Sequence, residues 1–196
     1  MQRLINANFG SGDFFCRFSA PYGTYESEKE FRAEVGKWLD RINYRLKKQG
    51  KGRLKYIAFI ECGKSGKNWH IHIIVSKEDR ELLSEQWPYE NGQNFTPLYK
   101  NENFKKLAEY ITKDLTGKED VDAAQKRMMT SRNLTKPESV TRKAKRKEIR
   151  ALERGEMIEA PEGHYLIEDD YSMNYSDIGG AKWYFCFLPI TQRRKW

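Results

Sequence analysis

The chain is poor in cysteine and histidine and has no long apolar run. Only Cys16, Cys62 and Cys186 occur in 196 residues, an odd number at wide spacings. There is no Cys-x-x-Cys pair, so a cysteine-based zinc site is not expected and no disulfide framework is called for. Three reduced thiols in or near the core are the expectation. No segment reaches the roughly 18 consecutive apolar residues of a transmembrane helix. Met1–Asn6 lacks the apolar core of a secretory signal, so a cytoplasmic chain with no membrane partner is expected. A (β/α)8 barrel, which needs about 250 residues, is excluded by length. Aromatic residues, by contrast, are not scarce. At 13 % in a chain of mean hydropathy −0.87, they argue for a folded core under a polar surface rather than for disorder.

Acidic residues are the minority: 28 Asp and Glu face 36 Lys and Arg, a net charge of +8. An excess of positive charge without a membrane anchor points first to an acidic polymer, most often nucleic acid. The excess is unevenly spread. Residues 1–125 carry a net +3, residues 126–154 a net +8 and residues 155–196 a net −3. The chain accordingly divides into a core (1–125), a basic segment (126–154) and a strand-containing extension expected to pack on the core (155–196). The basic segment includes Lys143, Lys145, Arg146 and Lys147 with few apolar residues between them. It reads either as a solvated helix face or linker, or as an arm that contacts phosphates.

Apolar periodicity predicts a mixed α and β chain. Asp13–Ser19 reads as a strand. Ser27 and Glu30 have capping-box spacing, and Phe31, Val35, Trp38, Leu39, Ile42 and Leu46 then recur at helical intervals up to Gly50. Leu54–Glu61 and Trp69–Val75 read as strands of a hairpin turned through Gly63–Lys67. Residues 78–87 suggest a short helix, Asn101–Leu115 an amphipathic one, and Trp183–Leu188 a final strand. Ala58–Ser65 fits a loose phosphate-loop pattern. Strand formers fill it and a strand follows it, whereas a phosphate loop must lead into a helix N-terminus.

Two of the three histidines stand in His70-Ile71-His72. In a strand, residues i and i+2 share a face, so both imidazoles project together. A two-residue turn at Ser65-Gly66 sets Cys62 opposite Trp69 and Glu61 opposite His70, with Cβ atoms about 5 Å apart. Two imidazoles and a carboxylate form a ligand set for a divalent cation with coordination positions left for substrate. On the Asn101–Leu115 helix, Phe104, Leu107, Ala108, Ile111 and Leu115 make the apolar stripe. Tyr110 lies about 120° from it, beside Lys106 and Lys113. Off the core, Tyr110 is either a snorkelling surface residue or a phenol nucleophile.

This combination resembles the HUH endonucleases: an apolar first strand, Glu61 on one strand, His70-Ile71-His72 on the next and Tyr110-Ile-Thr-Lys113 on a later helix. It is similar in particular to the single-tyrosine initiators of rolling-circle replication in phages, plasmids and integrative elements. Arg3–Asp13, Lys55-Tyr56-Ile57 and Ser131-Arg132-Asn133-Leu134 with Pro137 resemble the bacterial replication-associated branch. The resemblance implies an α+β fold with a central antiparallel sheet of about five strands, related to the RNA-recognition and ferredoxin-like folds. Helices would cover one face, and the metal site would lie on the other. It implies that Glu61, His70 and His72 hold Mg²⁺ or Mn²⁺ and that Lys113 assists Tyr110. Tyr110 would attack single-stranded DNA at an origin or hairpin, leaving a 5′-phosphotyrosine link and a free 3′-hydroxyl. Lys106, Arg132, Lys143, Lys145, Arg146 and Lys147 are then candidate DNA contacts, with a host helicase and polymerase as partners in a bacterial cytoplasm. The first strand departs from the family's usual Thr-Leu-Thr run, with Cys16-Arg17-Phe18-Ser19 in its place. A conjugative relaxase or single-tyrosine transposase would share the same groups. A 2-His-1-carboxylate iron oxygenase would leave Tyr110 and the basic segment without a role, and a non-catalytic nucleic-acid-binding protein would not need Glu61, His70 or Tyr110.

Overall fold

A computed structural model describes residues 1–99, 104–116, 128–138, 140–176 and 180–190. Five strands form one antiparallel sheet in the order β4-β1-β3-β2-β5: β1 (Phe14–Ser19), β2 (Tyr56–Cys62), β3 (Trp69–Val75), β4 (Gln93–Pro97) and β5 (Met128–Thr130). The helices α1 (Gln2–Asn6), α2 (Glu28–Lys48), α3 (Arg80–Gln86), α4 (Lys105–Thr116) and α5 (Arg146–Glu153) complete an α+β architecture. A separate two-stranded sheet pairs β6 (His164–Ser176) with β7 (Gly180–Pro189), which contains the expected Trp183–Leu188 strand.

Alternation along the strands sorts side chains into two cores. Cys16 and Phe18 of β1, Ala58 and Ile60 of β2, and Ile71, Ile73 and Val75 of β3 face the buried stripe of α2 and Leu83 of α3. Phe18 sits at the centre, with the rings of Trp38, Trp87 and Phe95 between 4.9 and 5.6 Å away. Burying a side chain of this size stabilises the fold by about 1.5–3 kcal/mol. The start of α2 is fixed locally: the Glu30 amide donates to Ser27 Oγ (3.3 Å), and the Glu30 carboxylate reaches back to the Glu26 amide (3.0 Å). The same packing seals Cys16, whose thiol burial pushes up to about 12, leaving it protonated and unreactive.

The opposite face holds the second core, in which Ile57, Phe59 and Ile74 meet Ile5, Phe9, Leu98, Phe104, Ala108 and Ile111. The expected division, with helices on one face and the site on the other, holds for α2 and α3. The short α1 and α4 add a partial layer on the site's own face, because Phe104, Ala108 and Ile111 need apolar cover. The hairpin between β2 and β3 has the expected register, with Cys62 opposite Trp69 and Glu61 opposite His70. Its turn is wider than two residues. Gly66 donates to the Gly63 carbonyl (2.8 Å) with Gly66 at φ +71°, and Gly63 donates to the Asn68 carbonyl (3.0 Å). Ala58–Ser65 is therefore β2 and its turn, and no helix N-terminus follows.

The edge strands have weak sequence signals. β4 contains Pro97 and has only five residues, and β5 has three. Both depend on partners. Ser19 donates to the Gly92 carbonyl (2.8 Å) at the mouth of β4. Ser131 extends the pairing of β5, donating to the Tyr56 carbonyl (3.0 Å) and accepting from the Tyr56 amide (2.9 Å). Asn133 donates to the Arg53 carbonyl, and Asn8 exchanges two hydrogen bonds with the Thr135 backbone. The Arg3–Asp13 and Ser131–Leu134 words thus tie together the edge of the sheet. Among the described residues no helix is long and apolar enough to cross a membrane.

Candidate metal and tyrosine site

Three residues of the hairpin converge. Strand alternation puts Glu61 of β2 on the face of Phe59, and His70 and His72 of β3 on the face of Ile74. Both imidazoles are buried, while the Glu61 side chain keeps about a quarter of its surface. Glu61 Oε2 lies 3.2 Å from His70 Nε2 and 3.3 Å from His72 Nε2. All the ligand atoms fall within 4.8 Å of one another.

The hydrogen bonds fix what these atoms present. His70 Nδ1 lies 3.1 Å from the Asn68 carbonyl, which can only accept, so Nδ1 carries the proton. Nε2 then turns its lone pair toward a carboxylate oxygen, and two electron-rich atoms at that separation require positive charge between them. A second proton on the ring or a divalent cation meets that requirement. A backbone carbonyl holding the remote nitrogen is the usual device for orienting a metal-binding imidazole. His72 Nδ1 is buried and has no partner among the described residues. Its ring is held instead by stacking on Phe15, 5.1 Å away and inclined by 4°. Hydrogen bonding to His70 and then to His72 holds the Glu61 carboxyl down to about 2. Separations near 3 Å are what adjacent ligands about one Mg²⁺- or Mn²⁺-sized ion require. The residues present fit such an ion, and three ligands leave positions for substrate oxygens.

Tyr110 joins this group from α4. Phe104, Ala108 and Ile111 are buried against the sheet and set the rotation of the helix. Tyr110 is consequently half exposed yet directed at the site. Its ring stands edge-on to His72 at 5.8 Å and to Phe15 at 6.1 Å. Phe15 therefore links the tyrosine to the histidines. The odd-numbered positions of β1 could have revealed it, had the pairing of β1 with β3 been readable. Lys113 lies one turn further along α4, and its side chain is outside the described residues. Lys106 is exposed on α4, and Arg132 on the loop after β5. Lys143, Lys145, Arg146 and Lys147 are exposed where the chain enters α5, whose first turn is closed by the Lys145 amide on Glu148 (2.7 Å). Arg142 grips the same Glu148 with two bonds of 2.7 Å. Arg146 and Lys147 thus open α5, and Lys143 and Lys145 lie on the segment that leads into it.

Fold and site together define an antiparallel α+β protein with a His-His-Glu group close enough to hold a metal ion, beside an accessible tyrosine. Residues 23–119 match the family model of the replication-associated protein ORF2. The matched stretch runs from the turn before α2 to just beyond α4, and so contains Glu61, His70, His72, Tyr110 and Lys113. The chain is similar there to replication-associated proteins, which points to a role in DNA replication. No curated protein and no solved structure matches the chain.

Proposed function

We propose that this protein is a sequence-specific single-stranded DNA nicking and joining endonuclease that initiates rolling-circle replication of a mobile element. The observation that carries this reading is the placement of the Tyr110 ring edge-on to His72, within the reach of one phosphodiester from the Glu61–His70–His72 set. Tyr110 Oη attacks the phosphorus and the bond to the 3′-oxygen breaks. The phenolic proton passes to solvent, and the leaving 3′-oxygen takes one up. The products are a 5′-phosphotyrosine ester and a free 3′-hydroxyl able to prime synthesis, and joining is the reverse transfer. A divalent ion held by Glu61, His70 and His72 supplies Lewis-acid polarisation of the phosphate. Phe15 keeps the His72 ring in place, and Lys113 is assigned to the developing charge.

The test is incubation of the purified chain with Mn²⁺ or Mg²⁺ and single-stranded DNA from the noncoding region of its element. A covalent adduct stable to denaturing electrophoresis is expected from the wild type. Tyr110→Phe should form none, while still binding the DNA. An adduct formed equally by Tyr110→Phe would overturn the nucleophile.

A further inference from the structure

Arg17 sits in the middle of β1, opposite His72 on β3 and Asn94 on β4. Its neighbours Cys16 and Phe18 point into the α2 core, so Arg17 shares the other face with Phe15, His72 and Glu61. Arg17 Nε is sealed from solvent without a hydrogen-bond partner, and no carboxylate pairs with the guanidinium among the described residues. An Nε–H left dry and unpaired on this face costs free energy that a hydrogen-bond acceptor would return. Glu61 is two strands away and already engaged by both histidines.

The charge on this face is unbalanced in one direction. Within β1, β2 and β3, Glu61 is the one carboxylate that stands against the guanidinium and, when the ligand set is loaded, a divalent cation. A phosphodiester is the anion that meets both. We infer that Arg17 is a phosphate-binding residue of the site, its guanidinium holding a non-bridging oxygen of the phosphodiester presented to Glu61, His70 and His72. The inference rests on the nuclease reading above. The planar fork of an arginine suits two oxygens of one phosphate, a geometry that an ammonium cannot reproduce. Beyond Arg17 the same face continues to the exposed Asn94 and Thr96 on β4, so a strand crossing Arg17 leaves the site over polar side chains.

The test uses the full chain loaded with Mn²⁺ and the dinucleotide d(TpT), which carries a single phosphodiester. Paramagnetic relaxation of its ³¹P signal reports the occupancy of the phosphate beside the metal, and electron paramagnetic resonance of free Mn²⁺ reports metal affinity. Arg17→Gln should weaken d(TpT) binding by at least about tenfold and leave Mn²⁺ affinity unchanged. Arg17→Lys keeps the charge and should recover only part of the loss; it also serves if the Gln variant folds poorly. Relaxation in Arg17→Gln equal to the wild type, with Mn²⁺ bound, would overturn the inference alone. A drop in Mn²⁺ affinity would make Arg17 a prop for His72 and overturn the phosphate role. Failure of the wild type to bind Mn²⁺ would overturn the metal reading and this inference together.

Discussion

At the scale of single residues the site is an arrangement of lone pairs. Glu61 Oε2 lies within hydrogen-bond reach of Nε2 of both His70 and His72, and the Asn68 carbonyl orients the His70 ring from its far nitrogen. One consequence is measurable on metal-free protein. The Glu61 carboxyl falls from an ordinary 4.5 to about 2 on folding. A carboxyl lowered by folding stabilises the native state fully above its unfolded value, and that stabilisation is lost as the pH drops toward the folded one. In urea denaturation, the stability of the wild type should therefore decline relative to Glu61→Gln between about pH 4.5 and pH 2, and the two should run parallel above about pH 5. Parallel curves throughout would mean that the imidazoles do not hold this carboxylate. Cys16, buried and protonated, should resist alkylation in the folded protein.

At the scale of elements, the hairpin brings the candidate ligands together, and the edge strand β4 extends the sheet beyond β1. The hairpin was legible in the sequence because alternation and glycine spacing are local signals. A turn centred on Ser65-Gly66 is enough to set Glu61 opposite His70, although the turn itself is wider than two residues. β4 was not legible: Gln93–Pro97 is short, contains proline and gains its strand character from the pairing with β1. Gly92 is the joint. It adopts φ +83°, and an added Cβ would lie 2.9 Å from the Ser19 carbonyl oxygen, which is backbone and cannot swing aside. Gly92→Ala should destabilise the protein by about 1–3 kcal/mol in urea denaturation. Hydrogen exchange should quicken at the Ser19 amide, which donates to Gly92. Unchanged stability would show that β4 can shift without cost.

At the scale of the whole molecule, the charge and the candidate site occupy different parts of the chain. The site lies on a sheet within the nearly balanced residues 1–125, while residues 126–154 carry a net +8. Lys143, Lys145, Arg146 and Lys147 are exposed at the start of α5, so they are suited to holding phosphates by charge. Replacing these four with Gln should flatten the salt dependence of single-stranded DNA binding. Every phosphate that is no longer neutralised lowers the log–log slope by about 0.7. Adduct formation at saturating DNA should stay close to the wild type. Disappearance of the adduct at saturation would place the segment in the active site.

The sequence by itself determined the elements with strong local periods: α2, the hairpin, the apolar side of α4, and with them the Glu61–His70–His72 set. Side-chain alternation and helical spacing are properties of the chain, and they place residues on faces before any packing is known. Only the tertiary structure decided what those faces meet. That β1 pairs with β3 on one side and β4 on the other is a long-range choice driven by burial of Phe18 and its ring cluster. This choice sets Phe15 against His72, leaves Arg17 Nε on the site's face without a hydrogen-bond partner among the described residues, and gives α4 the apolar floor that turns Tyr110 toward the histidines. No local period encodes such neighbours, because they depend on which strands share a sheet.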